Sequence, residues 1–113
     1  MKQIILDTSF ILSAVRNKID IFNELLEYNI LIPKQVINEI KNQKSSNAKL
    51  ALKILQLNKY NEIDLGKAHV DKLIINYAKK NPKVIVATLD REIKKKVKNS
   101  KLVIRGKKQL EVI

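Results

Sequence analysis

The sequence predicts an α/β protein, a three-layer α/β/α sandwich around a central, mostly parallel sheet of four to five strands. Three observations predict it. Short β-branched runs recur along the chain. The segments between them carry apolar residues at helical spacing, and strands alternating with helices build parallel sheets. The run VIVATL is almost continuously apolar, the pattern of a strand covered on both faces. The length of 113 residues suits one compact domain, residues 1–113, with a real core.

The elements follow in order. Residues 2–6 read as a short buried strand. Residues 8–16 read as an apolar helix, with Thr8 or Ser9 near its cap. In residues 19–28, IDIFNELLEY, helical spacing places Ile21, Leu25 and Tyr28 on one face. NILIP is a second strand stopped by Pro33, and proline suits the first turn of the helix PKQVINEIKN. The stripe of that helix is Val36, Ile37 and Ile40. KNQKSSN is a polar break, in which Ser45, Ser46 or Asn47 can cap the helix AKLALKILQLNK. That helix is apolar nearly all round, with only Lys49, Lys53 and Gln56 as a solvent stripe. YNEIDLG is a turn or a short edge strand. HVDKLIINYAKKN is a helix with Val70, Leu73, Ile74, Tyr77 and Ala78 on one face. VIVATL is the strongest strand, DREIKKKVKNS a short basic helix, KLVIR a strand, and QLEVI a candidate edge strand.

Composition narrows the function. Apolar residues make up 45% of the chain, which excludes a disordered one. The formal charge is +12, which implies an anionic partner, nucleic acid before any other. The basic residues are mostly lysine, with arginine only at Arg16, Arg91 and Arg105. Lysine contacts phosphate as a point charge and reads bases poorly, so backbone binding is favoured over sequence reading. There is no cysteine, which excludes disulfides and thiolate metal sites. Asp7 interrupts the only signal-like stretch, and no run approaches the roughly 20 apolar residues of a membrane span. The expectation is a soluble, cytoplasmic protein with no membrane partner.

Against that basic background, a few acids stand in unusual places. Asp7 follows the first strand and Asp90 follows VIVATL. Both sit at the carboxyl end of a parallel strand, where open α/β sheets bind ligands. Glu39 in VINEI lies about 60° from Val36 at roughly 100° per residue, at the edge of the buried stripe. Asp71 opens the helix HVDKLIINYA. Converging carboxylates repel unless a cation is present, and hard ions such as Mg²⁺ or Mn²⁺ prefer oxygen ligands and also bind phosphate. Each acid has a plainer reading. Asp7 and Asp90 can cap the helices that follow them. Glu39 can pair with Lys34 or Lys41, and Asp71 can complement a helix dipole. Asp20, Glu24, Glu27, Glu62, Asp64 and Glu111 read as surface charges, and His69, the only histidine, as a turn residue.

The four acids in their motifs, LDTSFIL, VINEI, HVDKLIINYA and VATLD, resemble the PIN-domain nucleases over almost the whole chain. The resemblance implies a PIN-like α/β domain that cleaves single-stranded RNA with Mg²⁺ or Mn²⁺. It implies Asp7, Glu39, Asp71 and Asp90 as the catalytic set. Asp7, Asp71 and Asp90 would hold metal, and Glu39 would be a ligand or water-orienting group. VIVATLDREIKKKVK is similar to the branch that processes ribosomal RNA, whereas many other members are VapC-type toxins inhibited by a small antitoxin. The implied partners are therefore RNA and either an antitoxin or a ribosome-assembly factor, and PIN-like proteins often dimerise. Many toxin members carry an Asp two residues after the last one, where this chain has Glu92, a candidate to support the metal site from outside.

Ser9 and Thr88 flank the acids and can orient a carboxylate or a water, or simply cap a helix and end a strand. In REIKKKVKNSK, Ile93 and Val97 face inward, while Lys94, Lys95 and Lys98 face out. Residues 91–113 hold nine Lys or Arg against two acids. Because the run begins beside Asp90, Arg91, Lys94, Lys95 and Lys98 are candidates for guiding RNA. Aromatic residues are only 4% of the chain, which argues against extended base-stacking platforms. Two other readings share the fold class. A non-catalytic RNA-binding module predicts salt-sensitive binding without cleavage. A receiver-like phosphoacceptor lacks an Asp after a third central strand and does not explain the charge.

Overall fold

The β-branched runs form strands because they can be covered on both faces. In the computed structural model, which describes residues 1–106 and 108–113, β1 (Gln3–Leu6) buries Ile4, Ile5 and Leu6 completely. The chain continues through α1 (Thr8–Arg16), α2 (Ile21–Glu24), β2 (Asn29–Pro33), α3 (Lys34–Asn42), α4 (Ser46–Leu57) and β3 (Asn61–Ile63). It ends with α5 (Val70–Lys80), β4 (Ile85–Ala87), α6 (Arg91–Lys96), β5 (Lys101–Arg105) and β6 (Gln109–Val112). The strands make one sheet in the order β3-β2-β1-β4-β5-β6. All neighbours are parallel except the hairpin β5–β6. Helices α1, α3 and α4 pack on one another, and α5 packs on α6. This is the three-layer sandwich that the sequence predicts.

The winding of the sheet locates its crevice. From β1 the chain steps outward through β2 to β3. Helix α5 then carries it back to β4 on the other side of β1, and from there it moves out to β5. β1 and β4 are thus the neighbours at which the winding reverses, and ligands of open α/β sheets bind at the carboxyl ends of such a pair. Their register pairs Ile4 with Ile85, Ile5 with Val86 and Leu6 with Ala87. The ladder extends one step, because the Asp7 N–H donates to the Ala87 carbonyl at 3.0 Å. Asp7 and Thr88 therefore leave the sheet side by side.

Four elements differ from expectation. The sheet has six strands, because both the edge segment at Asn61–Ile63 and the tail Gln109–Val112 pair. The helix expected over 19–28 shrinks to Ile21–Glu24. Asp20 starts it by accepting from the Asn23 N–H at 3.2 Å, and the chain must then turn to deliver Asn29 to β2, with Tyr28 N–H closing on Leu25. VIVATL contributes only Ile85–Ala87 to the ladder, since Thr88 and Leu89 turn to form the site. Helix α4 buries only Ala48, Ala51 and Leu55 and leaves Leu50 and Leu57 exposed. It covers the outside of α1 and α3 rather than the sheet core, so one narrow stripe is enough.

Candidate active site

Asp7 is the most constrained acid. It is 4% exposed and is the N-cap of α1, accepting from the Thr8 N–H at 2.7 Å. Its other oxygen, Oδ2, accepts from the Thr88 hydroxyl at 2.7 Å and the Ser9 hydroxyl at 3.0 Å. Burial raises the Asp7 carboxyl above the ordinary aspartate range, and the nearby Glu39 charge adds to this. The hydroxyls of Thr88 and Ser9 and the Thr8 N–H pull the other way. These donors are what make a charged carboxylate tolerable in a buried position.

The same hydroxyls tie in the next acid. Thr88 Oγ1 accepts from the Asp90 N–H at 3.0 Å, and Ser9 Oγ accepts from the Leu89 N–H at 3.2 Å. Asp90 is the N-cap of α6, its Oδ1 accepting from the N–H groups of Glu92 at 2.8 Å and Ile93 at 3.3 Å. Both capping readings thus hold for Asp7 and Asp90. A cap uses only part of a carboxylate, however, and Asp90 Oδ2 has no protein donor among the described residues.

Two helices bring the remaining acids. Glu39 projects from the middle of α3, and its Oε1 accepts from the Thr8 hydroxyl at 2.5 Å. Asp71 lies in the first turn of α5. Its carboxyl is raised by partial burial and by the charges of Asp90, Asp7 and Glu39. Asp7, Glu39, Asp71 and Asp90 line one pocket of about 410 Å³ together with Thr8, Ser9, Leu12, Asn42 and Gln43.

The connection that delivers Asp71 is clamped from α3. Gln35 Nε2 donates to Asp64 Oδ1 and to the Gly66 carbonyl, both at 2.8 Å, and its Oε1 accepts from the Leu65 N–H. Asp64 also accepts from the Gly66 N–H at 3.0 Å. Gly66 has φ +101°, a conformation that glycine alone adopts freely. Asp64 and Asp20 are exposed surface charges, as expected, and each also organises a turn.

Other candidates fall outside the pocket lining. Glu92 is turned toward Lys96, 3.9 Å away on the same helix, with both side chains mostly exposed. Arg91, Lys95 and Lys98 are exposed and Lys94 is half-buried, all on or just after α6. His69 is the N-cap of α5 without a side-chain cap bond. Thr8, Asn42, Gln43 and Gln35 were not assigned functional places from the sequence. The contact of Thr8 with Glu39 spans 31 positions, and nothing in local spacing signals it.

The donor set bears on a cation. The pocket offers carboxylates and hydroxyls, with no thiol and no imidazole, a set that suits hard divalent ions. In a chain of formal charge +12, the ion pairs among the described residues are Lys96–Glu92 and Arg105–Glu111. None of the four acids is paired with a basic side chain among the described residues. Among those residues no three acids stand close enough together to ligate one ion as they are placed. Their uncompensated charges favour a cation.

The chain is similar to known proteins in sequence and in fold. A family model described as a PIN like domain matches residues 4–108. Ribonuclease VapC4 of Methanocaldococcus jannaschii is 31% identical over 127 aligned positions, covering 99% of this chain and 97% of that protein. In fold, the chain is similar to the solved structure of the PIN domain endonuclease Utp24, with a TM-score of 0.84 and 21% identity over 97% of this chain and 90% of that one. With its fold and nearly its whole length matched, this protein belongs to the PIN-like domain family.

Proposed function

We propose that this protein is an endoribonuclease that depends on a divalent ion, Mg²⁺ or Mn²⁺, and cuts single-stranded RNA. The observation that carries the proposal is the lining of one pocket by four acids from four separate elements, none with a basic partner among the described residues, in a strongly basic chain. The PIN-like family and a relative that is itself a ribonuclease support it.

Asp7, Asp71 and Asp90 would hold the ion once their side chains close on it from where they stand here, with Glu39 as a further ligand or as the group that orients water. The bound ion supplies charge neutralisation at the scissile phosphate and a lowered pKa for water. The protein does the rest by placement. The hydroxyls of Thr88 and Ser9 hold Asp7, and the first turn of α6 holds one oxygen of Asp90, leaving the other free. The Thr8 hydroxyl donates to Glu39 Oε1, so the second oxygen of Glu39 can take a proton from water. Before any ion binds, the raised carboxyls of Asp7 and Asp71 can retain protons that ion binding would displace. Arg91, Lys94, Lys95 and Lys98 lie on the α6 segment that starts at Asp90, where they would hold RNA phosphates. No cysteine is present, and no protein nucleophile is required. An antitoxin is the partner expected if the protein acts as a toxin, and a ribosome-assembly factor if it trims ribosomal RNA.

The test is cleavage of a single-stranded RNA resolved on a gel. Wild type should cut with Mg²⁺ or Mn²⁺ and stop in EDTA. Asp90→Asn should lose more than about a hundredfold in rate, beyond the roughly 10–100-fold that changes around a metal site typically cost, while circular dichroism and RNA binding persist. RNA that is bound but uncut with either ion would leave a binding module and remove the enzyme.

A further inference from the structure

Aromatic residues are scarce in this chain, but they are not scattered. Of its two phenylalanines and three tyrosines, Phe22, Tyr28 and Tyr60 line a single cleft. The cleft opens at the amino ends of β2 and β3, the end of the sheet opposite the acids. Its volume is about 970 Å³, within the range of small-molecule sites. Phe22 is packed into the core, while Tyr28 and Tyr60 are half-buried at the cleft wall. The rings of Phe22 and Tyr60 lie 6.4 Å apart between centroids, inclined by 40°.

Beside the rings stands a fixed polar edge. Asn29 opens β2 and Asn61 opens β3, and Asn61 Nδ2 donates to Asn29 Oδ1. Each amide carries a donor side and an acceptor side. Their mutual bond leaves the NH₂ of Asn29 and the carbonyl oxygen of Asn61 unused, besides the second N–H of Asn61 and the second lone pair of Asn29 Oδ1. Exchanging oxygen and nitrogen in both amides leaves the same complement. A held donor next to a held acceptor matches the hydrogen-bonding edge of a nucleobase. Lys59 is exposed on the cleft lining, a cation that can contact a phosphate. Asp20, the acid on the same lining, is engaged as the N-cap of α2. A purely apolar ligand would leave the amide edge unpaired, and a bare anion would not use the rings.

We propose that this cleft binds one nucleobase with its phosphate, stacked on Tyr60, paired with the Asn29–Asn61 edge and held at the phosphate by Lys59. The base can belong to a free nucleotide or to an RNA strand, which present the same chemistry. The site is separate from the acid pocket, and its occupancy does not depend on cleavage.

The experiment is a titration of the ¹⁵N-labelled full chain, in EDTA so that no RNA is cut, with AMP and separately with a short single-stranded oligoadenylate. Signals of Asn29, Tyr60 and Asn61 should shift and saturate. Tyr60→Leu should weaken binding about tenfold, the loss of one stacking contact, and Lys59→Glu should weaken it for both probes. Tighter binding of AMP assigns the cleft to free nucleotides, and tighter binding of the oligonucleotide assigns it to a strand. Absence of shifts with both probes overturns the proposal, as do shifts that neither variant changes. Shifts that follow protein concentration alone make the cleft a self-association face and overturn it equally. Lys59→Glu alters only an exposed side chain, so the test stands even if Tyr60→Leu does not fold.

Discussion

The two ends of the sheet carry opposite chemistry, and the direction of the backbone explains why. At the carboxyl ends of the strands the helices begin, and their first N–H groups lack internal partners. Asp7 caps α1, Asp90 caps α6 and Asp71 lies in the first turn of α5. At the amino ends α1, α4 and α5 finish and their last carbonyls lack partners within the helix, whereas the end of α3, Asn42 and Gln43, lines the acid pocket. There α1, α4 and α5 stop on Asn17, Asn58 and Asn81. Each of these amides donates to the carbonyl four residues back, at 2.9, 2.8 and 2.8 Å. Acids gather where donors are free, and amides gather where acceptors are free. The difference is that capping uses up much of an amide but only part of a carboxylate. The acid end keeps carboxylate oxygens that the caps do not use.

The largest expected effect tests that surplus. Asp71→Asn should reduce RNA cleavage by more than about a hundredfold, a loss above that of outer positions, with the fold retained by circular dichroism. Asn81→Ala, a comparable change at the other end, should leave cleavage per folded molecule unchanged. Retained activity in Asp71→Asn would place the metal elsewhere. A smaller effect is expected at Thr8, which touches Glu39 rather than an ion. Thr8→Val should weaken Mn²⁺ binding by roughly 10–100-fold in titration calorimetry, and Thr8→Ser should restore it. Equal affinity in all three proteins would show that Thr8 does not position Glu39.

Much of this was legible in the residues. Thr8–Arg16 follows the expected span of the first helix, and the strand-ending positions of Asp7 and Asp90 emerge from hydrophobic runs alone. Glu39 needed only its place on the helical wheel. What was hidden depends on distance in space. The Thr8–Glu39 bond, the Gln35 clamp on residues 64–66, and the gathering of Phe22, Tyr28 and Tyr60 all join segments far apart in sequence. Ordinary helix periodicity over 19–28 was overridden because the chain had to turn into β2. The continuous apolarity of α4 misled in the opposite way. A helix lying on other helices fully buries only Ala48, Ala51 and Leu55; Leu52 packs half-buried against the core, and Leu50 and Leu57 stay exposed.

At the amide end the comparison is sharpened by Asn99, which is 6% exposed and donates to the carbonyls of Ala78, Asn81 and Val84 at 2.9–3.1 Å. It joins the end of α5 to the start of β4. Asn99→Ala removes the amide from all three carbonyls, although those of Ala78 and Asn81 keep the backbone N–H groups of Asn81 and Val84, and it leaves a buried polar gap, so it should cost roughly 1–3 kcal/mol, read from urea denaturation. Cleavage per folded molecule should not change, because the site lies at the other end. A loss below a few tenths of a kcal/mol would mean that water replaces the amide.

The acid end should also respond to pH in chelator. Burial raises Asp7, and partial burial with neighbouring charges raises Asp71. The folded protein then binds more protons than the unfolded chain above the ordinary aspartate value of 3.8. Stability contributed by these groups is complete below that value and is lost as pH rises through the raised folded values. In EDTA the melting temperature of wild type should fall across this window relative to Asp7→Asn, which cannot ionise there. Saturating Mn²⁺ should remove the difference by stabilising the ionised form. Parallel pH curves for the two proteins in EDTA would show that Asp7 is not strained by burial.

The smallest effect is expected at Glu92, the one acid near the site that is turned away from it. Its pair with Lys96 spans 3.9 Å, and both side chains are more than half exposed. Exposed pairs at this helical spacing contribute about 0.3–0.5 kcal/mol, and salt screens them further. Glu92 also stands in the first turn of α6, where a negative charge favours the helix dipole weakly. Glu92→Gln should therefore shift stability by no more than about 0.5 kcal/mol and leave cleavage and Mn²⁺ affinity within about twofold. That outcome would separate Glu92 from Asp90, two residues earlier. Asp90 is held at the N-cap with one oxygen free, whereas Glu92 extends along the helix surface to a lysine. A tenfold loss of Mn²⁺ affinity in Glu92→Gln would mean that the side chain swings into the pocket once an ion is present.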